Sequence, residues 1–245
     1  KGARYIPGPL FYVRKGTHMR ILTAATANTK TAKTADKAEQ AILHLLPAKL
    51  SGYNVCPFHT DGCASGCLNL SGRGVFTAVQ TARLNRTLLF FEDRPSFWGK
   101  LIADIKTLEK RASKSGKPVA VRLNGTSDII WERQKTPNGA TIFEQFPNVN
   151  WYDYTKIPRR VTPGNYHLTF SLAEHNQTAA AAELANGRNV AVVFRGKLPA
   201  RYMGAQVIDG DKSDLRYLDI SPAIVGLTAK GKAKKDTSGF VKESI

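Results

Sequence analysis

The chain has 245 residues, of which 42% are hydrophobic and 9% aromatic, a composition that can bury a sizeable core and excludes a disordered polycation. Lys and Arg number 36 against 19 Asp and Glu, so the formal net charge is +17. No run approaches the roughly 18 consecutive apolar residues of a membrane-spanning helix, and the positive excess predicts an anionic partner, most often nucleic acid.

Residues 1–18 differ in composition from the rest of the chain. They contain four basic residues, no acidic residue and two prolines. We expect them to be a basic N-terminal extension or tag, with Met19 as a natural start and residues 19–245 as a single α/β domain. Because no apolar segment typical of a signal peptide follows the basic residues, we expect a cytoplasmic protein whose thiols stay reduced.

Short apolar patterns predict the first elements of this domain. Residues 20–26 read as a strand. A polar segment of small residues follows over 28–34. Asp36 is a good N-cap, and we predict a helix from residue 36 to about residue 46, where Pro47 would end it.

All three cysteines of the chain lie close together in the next segment. Cys56, Cys63 and Cys67 have the spacing C-x6-C-x3-C, and glycines surround them at positions typical of a loop. An odd number of cysteines cannot form a complete disulfide framework. A polar, glycine-rich loop is also a poor place to bury three small apolar side chains. The pattern therefore favours a metal site.

Two metals fit these residues. Three thiolates can hold an iron–sulfur cluster and leave one iron open for another ligand. With His59 as fourth ligand, the same thiolates would form a closed Cys3His zinc site. A loop of three buried thiols without metal is the third interpretation. We favour the iron–sulfur cluster.

Two helices are predicted after the cysteine loop. Apolar residues recur at helical spacing from residue 75 to residue 91, with Arg73 and Arg83 on the flank. A second helix begins after Asp93, has Pro95 in its first turn and stops near Gly116.

The second half of the chain changes to short apolar runs, as expected for strands. These runs cover residues 118–123, 149–154, 166–170, 189–194, 206–208 and 223–228, with helical segments at 141–146 and 176–186. Buried strands that alternate with helices are typical of parallel sheets. The sequence therefore predicts an α/β fold with a partial or complete (β/α) barrel-like parallel sheet.

Polar residues follow most of these strands. In parallel α/β folds ligands bind at the carboxyl ends of the strands, so these residues are candidate catalytic groups, although each also fits a turn or a helix cap. They are Asn124, Ser127, Asp128, Lys156, Glu174 and Asp211.

Basic residues near the same strand ends are candidates for binding phosphates. They are Arg73, Arg83, Arg159, Arg160, Lys230, Lys232, Lys234 and Lys235. The last four form a run whose alternative is a solubilising surface loop. Three aromatic residues, Trp131, Trp151 and Tyr154, are candidates for stacking on a base.

Long strings of this sequence resemble a known family. They include NTKTAK, CPFHTDGCASGCLNLSGRG, VRLNGTSDIIWE, FPNVNWYDYTK, VIDGDKSDLRYLD and IVGLTAKGKAKKDTSGFV. The chain is similar over nearly all of residues 20–241 to the gene-product-88-like family of phage and prophage proteins. The resemblance implies a phage or mobile-element origin and supports a start at Met19, and it says little about chemistry. With such an origin, the expected cytoplasmic location is the cytoplasm of the host cell.

The cysteine loop also resembles that of radical S-adenosylmethionine enzymes. Those enzymes place three cysteines in a loop after the first barrel strand. The resemblance implies that Cys56, Cys63 and Cys67 ligate a 4Fe–4S cluster whose open iron binds S-adenosylmethionine. It also implies that residues 124–128 contact this cofactor. The usual C-x3-C-x2-C spacing and the glycine-glycine-glutamate motif are both absent here.

The leading hypothesis is a phage enzyme that modifies a base or nucleotide, with DNA favoured over RNA as partner. It would bind phosphates through its basic surface and use the iron–sulfur site. A different hypothesis is a non-enzymatic nucleic-acid-binding or host-takeover protein with the zinc site. A third is a magnesium-dependent nuclease that uses Asp209, Asp211 and Asp214.

Overall fold

A computed structural model describes residues 19–24, 32–70 and 72–244. Its described part contains one large sheet of ten strands. The strands are β1 (Leu22–Ala24), β2 (Glu39–Leu43), β3 (Val119–Arg122), β4 (Asn150–Thr155), β5 (Tyr166–Ser171), β6 (Val190–Arg195), β7 (Arg201–Tyr202), β8 (Ala205–Asp209), β9 (Ile224–Thr228) and β10 (Lys242–Glu243). The helices are α1 (Asp61–Ser65), α2 (Thr77–Glu92), α3 (Arg94–Ser115), α4 (Ile142–Gln145) and α5 (Gln177–Ala185).

The sheet is mostly parallel. Strands β2 to β6 lie side by side in chain order, and β9 and β8 continue the parallel series. Antiparallel strands flank it, β1 beside β2 and β7 beside β8. The short β10 pairs with the end of β6. Because the parallel strands run in one direction, the segments that follow them meet at one edge, which we call the carboxyl edge.

The sheet has two edge strands. They are β1 on one side and β7 on the other, and no pairing joins them within the described ranges. The predicted α/β class with a mostly parallel sheet is confirmed. A closed barrel is not seen in this part of the chain.

Helices α2 and α3 cover one face of the sheet. In α3 the residues at positions 97, 98, 101, 105, 108 and 112 are buried, which is the spacing of one helix face. They pack on core residues that lie in register across neighbouring strands, such as Ala41, Val121 and Trp151. Asp93 caps α3 by accepting a hydrogen bond from the Ser96 N–H at 3.2 Å, and Gly116 ends it in a left-handed conformation. Both helix predictions are confirmed.

The helix predicted over residues 36–46 is wrong. Residues Glu39–Leu43 form β2, which pairs in parallel with β3. Four of its five residues are buried, and the polar Gln40 donates to the Thr34 carbonyl at 2.8 Å. A strand buried on both faces has no polar stripe, so apolar spacing alone does not separate it from a helix.

The other predicted elements are confirmed with small changes of their ends. The six predicted strands of the second half correspond to β3, β4, β5, β6, β8 and β9, and the two helical segments to α4 and α5. The strand predicted over 20–26 corresponds to β1, and residues 25 and 26 fall outside the described ranges. The predicted extension over 1–18 also lies outside them. Within the described ranges, each helix is too short or too polar to cross a membrane.

Candidate functional site

The cysteine loop lies at the carboxyl edge, after the first parallel strand. Cys56 precedes the short helix α1, Cys63 lies inside it, and Cys67 follows it. The Thr60 hydroxyl caps α1 by accepting from the Cys63 N–H at 3.2 Å. All three thiols are free and half-buried.

Cys56 is held against the loop that follows β3. Its Sγ accepts a hydrogen bond from the Ala48 N–H at 3.4 Å and donates to the Thr126 carbonyl at 3.7 Å. The pKa of the Cys56 thiol is raised to about 11, mainly by burial and also by Cys67 and Cys63, although the hydrogen bond from the Ala48 N–H lowers it. Without a metal this thiol is neutral at physiological pH.

Cys67 faces a more basic environment. Burial raises the pKa of its thiol, whereas a hydrogen bond from the Asn69 N–H and the charges of Arg83 and Lys156 lower it. Cys63 also acts on Cys67, so the three thiols influence one another electrostatically. In the part of the chain that the structure describes, no three His, Cys, Asp or Glu side chains stand in a metal-binding arrangement.

A backbone contact orients the ring of His59. Its Nδ1 lies 2.6 Å from the Cys56 carbonyl oxygen. A backbone hydrogen bond of this kind fixes the ring and leaves Nε2 for a ligand, as in many metal-binding histidines.

Hydrogen bonds to Glu174 connect the cysteine loop to the segment that follows β5. Its carboxylate accepts from the Thr60 hydroxyl at 2.5 Å and from the Gly62 N–H at 2.7 Å. Burial raises the pKa of Glu174, but hydrogen bonds from Thr60, Gly62 and Ser238 outweigh burial and leave the pKa below its ordinary value. This predicted catalytic residue therefore positions the loop.

Gly62 provides the close approach that this contact needs. A Cβ at this position would lie 2.1 Å from Ser238 Oγ and 2.6 Å from Glu174 Oε1. We expect Gly62→Ala to lower the free energy of unfolding by about 1–3 kcal/mol, measured by urea denaturation, because the Glu174 and Ser238 contacts must shift.

Gly99→Ala is the matched control for this variant. Gly99 lies in α3, where an added Cβ meets no atom within 4 Å. Alanine is the better helix former, so the control should gain up to about 1 kcal/mol. Equal gains in both variants would show that Gly62 is not enclosed by Glu174 and Ser238.

The loop 124–128 packs against the segment that leads from β2 into the cysteine loop. The Gly125 N–H donates to the Leu43 carbonyl at 3.0 Å, and the Asp128 N–H donates to the Val55 carbonyl at 2.8 Å. Asn124 is buried at its centre, and its Oδ1 accepts from Ser127 Oγ, the Ile129 N–H and Trp131 Nε1 at 2.8–2.9 Å. The predicted catalytic residues Asn124 and Ser127 are thus tied to the structure of their own loop.

Asp128 and Lys156 meet at the same edge. The Asp128 carboxylate accepts from the Lys156 N–H at 2.8 Å and lies 3.6 Å from Arg160. The Lys156 ammonium lies 5.6 Å from the centre of the Phe240 ring and acts electrostatically on Cys67. Two of the predicted catalytic residues thus act electrostatically on the thiols: Lys156 lowers the pKa of Cys67, and Asp128 raises the pKa of Cys56.

The predicted aspartates after β8 do not share a site. Asp211 accepts from Lys230 Nζ at 2.7 Å and from the Thr228 N–H at 2.9 Å. Asp214 is buried and pairs with Arg122 at 3.5 Å. Asp209 accepts from the Asp211 N–H at 2.9 Å. The geometry of these residues gives no support to the nuclease alternative.

The predicted phosphate-binding residues fall into two groups. Some lie on the surface: Arg73, Arg159, Lys230, Lys232, Lys234 and Lys235. The other two, Arg83 and Arg160, are buried. Arg160 donates two hydrogen bonds to the Glu132 carboxylate, at 2.8 and 2.5 Å. The indoles of Trp131 and Trp151 are fully buried and offer no face for stacking on a base, whereas Tyr154 lies half-buried under Arg122.

Sequence reasoning missed three charged or titratable residues of this edge. His44 follows β2, and burial together with Arg83, Arg122 and Arg86 lowers its pKa to about 3. Arg122 ends β3 and lies 3.7 Å from Asp153, which is fully buried in β4. An acid between aromatic residues of a buried strand is a visible signal for Asp153. His44 was hidden by the wrong helix prediction.

Comparison with known protein families shows where the chain belongs. A sequence model of the family described as Gene product 88 matches residues 20–244, so the chain belongs to this family. No curated protein matches the chain, and no solved structure does. The resemblance to radical S-adenosylmethionine enzymes therefore has no support from these comparisons.

Proposed function

We propose that this Gene product 88 family member is a nucleic-acid- or nucleotide-modifying phage enzyme that holds an iron–sulfur cluster on Cys56, Cys63 and Cys67. The observation that carries the proposal is the position of the cysteine loop. It follows the first strand of a consecutive parallel series and lies at the carboxyl edge, where α/β sheets bind their ligands. The same strand order supports a partial (β/α) barrel.

The donor atoms suit such a cluster. Two of the three sulfurs already accept backbone N–H groups, from Ala48 to Cys56 and from Asn69 to Cys67, and hydrogen bonds to the sulfurs tune iron–sulfur sites. Three thiolates leave one iron free, so the bound cluster would supply an open coordination position for S-adenosylmethionine or substrate. The sulfurs must draw closer together for this, within a loop that Glu174 holds at one end.

In this proposal, basic residues bind the phosphate groups of the nucleic acid. Lys156 acts electrostatically on the Cys67 thiol, and exposed positive charge comes from Arg73, Arg159 and the run from Lys230 to Lys235. Charges of this kind neutralise phosphates and release counterions. The protein would act in the host cytoplasm, where its thiols stay reduced.

Metal analysis of anaerobically purified protein tests the proposal. We expect about four iron and four sulfide per chain after reconstitution, with absorption near 400 nm. Cys63→Ala should lose most of this iron and the absorption, because two remaining thiolates do not hold the cluster.

His59→Ala is the control that separates the two metals. Under the proposal it keeps the iron of the wild type. The zinc alternative uses Nε2 of His59 as fourth ligand, since Nδ1 lies against the Cys56 carbonyl, and expects about one zinc per chain, lost in His59→Ala. Colourless wild-type protein with one zinc per chain, or Cys63→Ala with unchanged iron, would contradict the iron–sulfur proposal.

A further inference from the structure

Buried arginines in the described residues are paired with acids, with one exception. Arg160 pairs with Glu132 and Asp128, and Arg216 with Asp219. The half-buried Arg122 likewise pairs with Asp153 and Asp214. Such pairing is expected, because a buried charge without a counter-charge is costly. Arg83 is the exception.

Arg83 lies in α2 with 8% of its surface exposed. Its guanidinium donates to the neutral Asn69 Oδ1, and its Nε is buried without a hydrogen-bond partner among the described residues. Burial lowers the pKa of Arg83, and the group that raises it is the Cys67 thiol rather than any carboxylate. The segments outside the described ranges contain no Asp or Glu side chain that could serve as a partner.

The surroundings of Arg83 add further positive charge. Arg86 lies on the same helix, and both arginines act on His44 at the end of β2. Asn69 joins Arg83 to the cysteine loop, because its N–H donates to the Cys67 sulfur while its Oδ1 accepts from Arg83. The uncompensated charge therefore faces the thiols from the α2 side, and Lys156 acts on Cys67 as well.

We propose that Arg83 is the anion-binding residue of the cysteine site and receives a phosphate group of the substrate. The inference rests on the proposed function. It specifies that the substrate of the proposed enzyme carries a phosphate group that binds next to the cysteine loop. A guanidinium binds phosphate oxygens through two parallel N–H groups. Arg86 on the same helix would add a second positive charge to the contact.

Thermal unfolding of the iron-free full chain tests this inference. Inorganic phosphate should raise the unfolding midpoint of the wild type above that in chloride of equal ionic strength, because a ligand of the native state stabilises it. Arg83→Met should weaken phosphate binding by about tenfold or more, since the charged hydrogen bonds are lost. Arg133→Met, which removes an exposed arginine elsewhere, should leave the phosphate response unchanged.

The stability of Arg83→Met without phosphate separates a ligand-binding role from a structural role. Replacement of an unpaired buried charge by an apolar side chain of similar length should keep or raise the midpoint. A large fall would mean that Arg83 serves to hold Asn69. Should Arg83→Met not fold, Arg83→Lys keeps a charge without the planar pair of donors, and its phosphate binding should fall at least severalfold.

The source of the phosphate is distinguished by two further probes. A mononucleotide and a 5′-phosphorylated oligonucleotide are compared with the unphosphorylated oligonucleotide, and the phosphorylated forms should lose affinity in Arg83→Met. A wild type without a phosphate-specific response, or equal responses in wild type and Arg83→Met, would overturn the inference. These measurements use iron-free protein. Their outcome for phosphate binding by Arg83 is therefore independent of whether the protein binds an iron–sulfur cluster.

Discussion

Replacement of Asn124 by alanine is expected to lower the free energy of unfolding by about 3–5 kcal/mol. The Asn124 side chain is buried, and its Oδ1 accepts from Ser127 Oγ, the Ile129 N–H and the Trp131 Nε1–H, while its Nδ2 donates to the Ile129 carbonyl at 3.0 Å. Alanine leaves these groups without partners inside the protein. Each buried group left unsatisfied costs about 1–3 kcal/mol. Urea denaturation monitored by tryptophan fluorescence measures the loss.

Asn138→Ala provides the matched control. Its Oδ1 also accepts three hydrogen bonds, from Thr136 Oγ1, the Ala140 N–H and Gln145 Nε2, but Asn138 lies on the surface. Water can replace a partner there, so we expect a loss of about 1 kcal/mol or less. If both variants lose the same small amount, Asn124 is not the centre of the loop beside the cysteines.

The secondary structure of the second half was predictable because its strands are short, separated by turns and rich in β-branched or aromatic residues. The error over residues 36–46 has the opposite cause. The run AEQAILHLL does not alternate strictly between apolar and polar residues, so its pattern fits a helix as well as a strand. Pairing with the neighbouring strands β1 and β3 makes it a strand. A pattern within one segment carries no information about partners that lie 80 residues away.

The location of the candidate site was predictable from the sequence, whereas the roles of its residues were not. The cysteines are close in sequence, and polar residues after strands were expected to gather at one edge. The loop 124–128 does lie on the cysteine loop, through contacts such as Cys56 to Thr126. What each residue does there was not predictable, since the partners of Glu174 and Arg160 come from distant segments.

Asp153 ties the end of β3 to β4 and β5. Its carboxyl group accepts from the N–H groups of Leu123 and Asn124 at 3.2 and 2.7 Å and from the Tyr166 hydroxyl at 3.0 Å. Burial raises its pKa from 3.8 to about 7, although Arg122 and these hydrogen bonds lower it. Asp153 is thus a buried acid beneath the loop that carries Asn124.

This raised pKa predicts that stability falls as pH rises. Between about pH 4 and pH 7 Asp153 is protonated in the folded chain and ionised in the unfolded chain, so the folded state binds one more proton. The free energy of unfolding should then fall by up to about 1.4 kcal/mol per pH unit, and by up to about 4 kcal/mol over the whole range. The contribution is complete below pH 4 and lost above pH 7.

Comparison of wild type with Asp153→Asn isolates this contribution. Urea denaturation at several values between pH 4 and pH 7.5 should show the falling stability in the wild type and a much shallower slope in Asp153→Asn, which cannot ionise at this position. Asp93→Asn serves as control, because hydrogen bonds from Ser96 lower the pKa of Asp93 and place its titration below this range. It should therefore keep the slope of the wild type. Parallel pH profiles for wild type and Asp153→Asn would mean that Asp153 is already ionised in the folded protein, and that Arg122 with the backbone N–H groups of Leu123 and Asn124 compensates its burial.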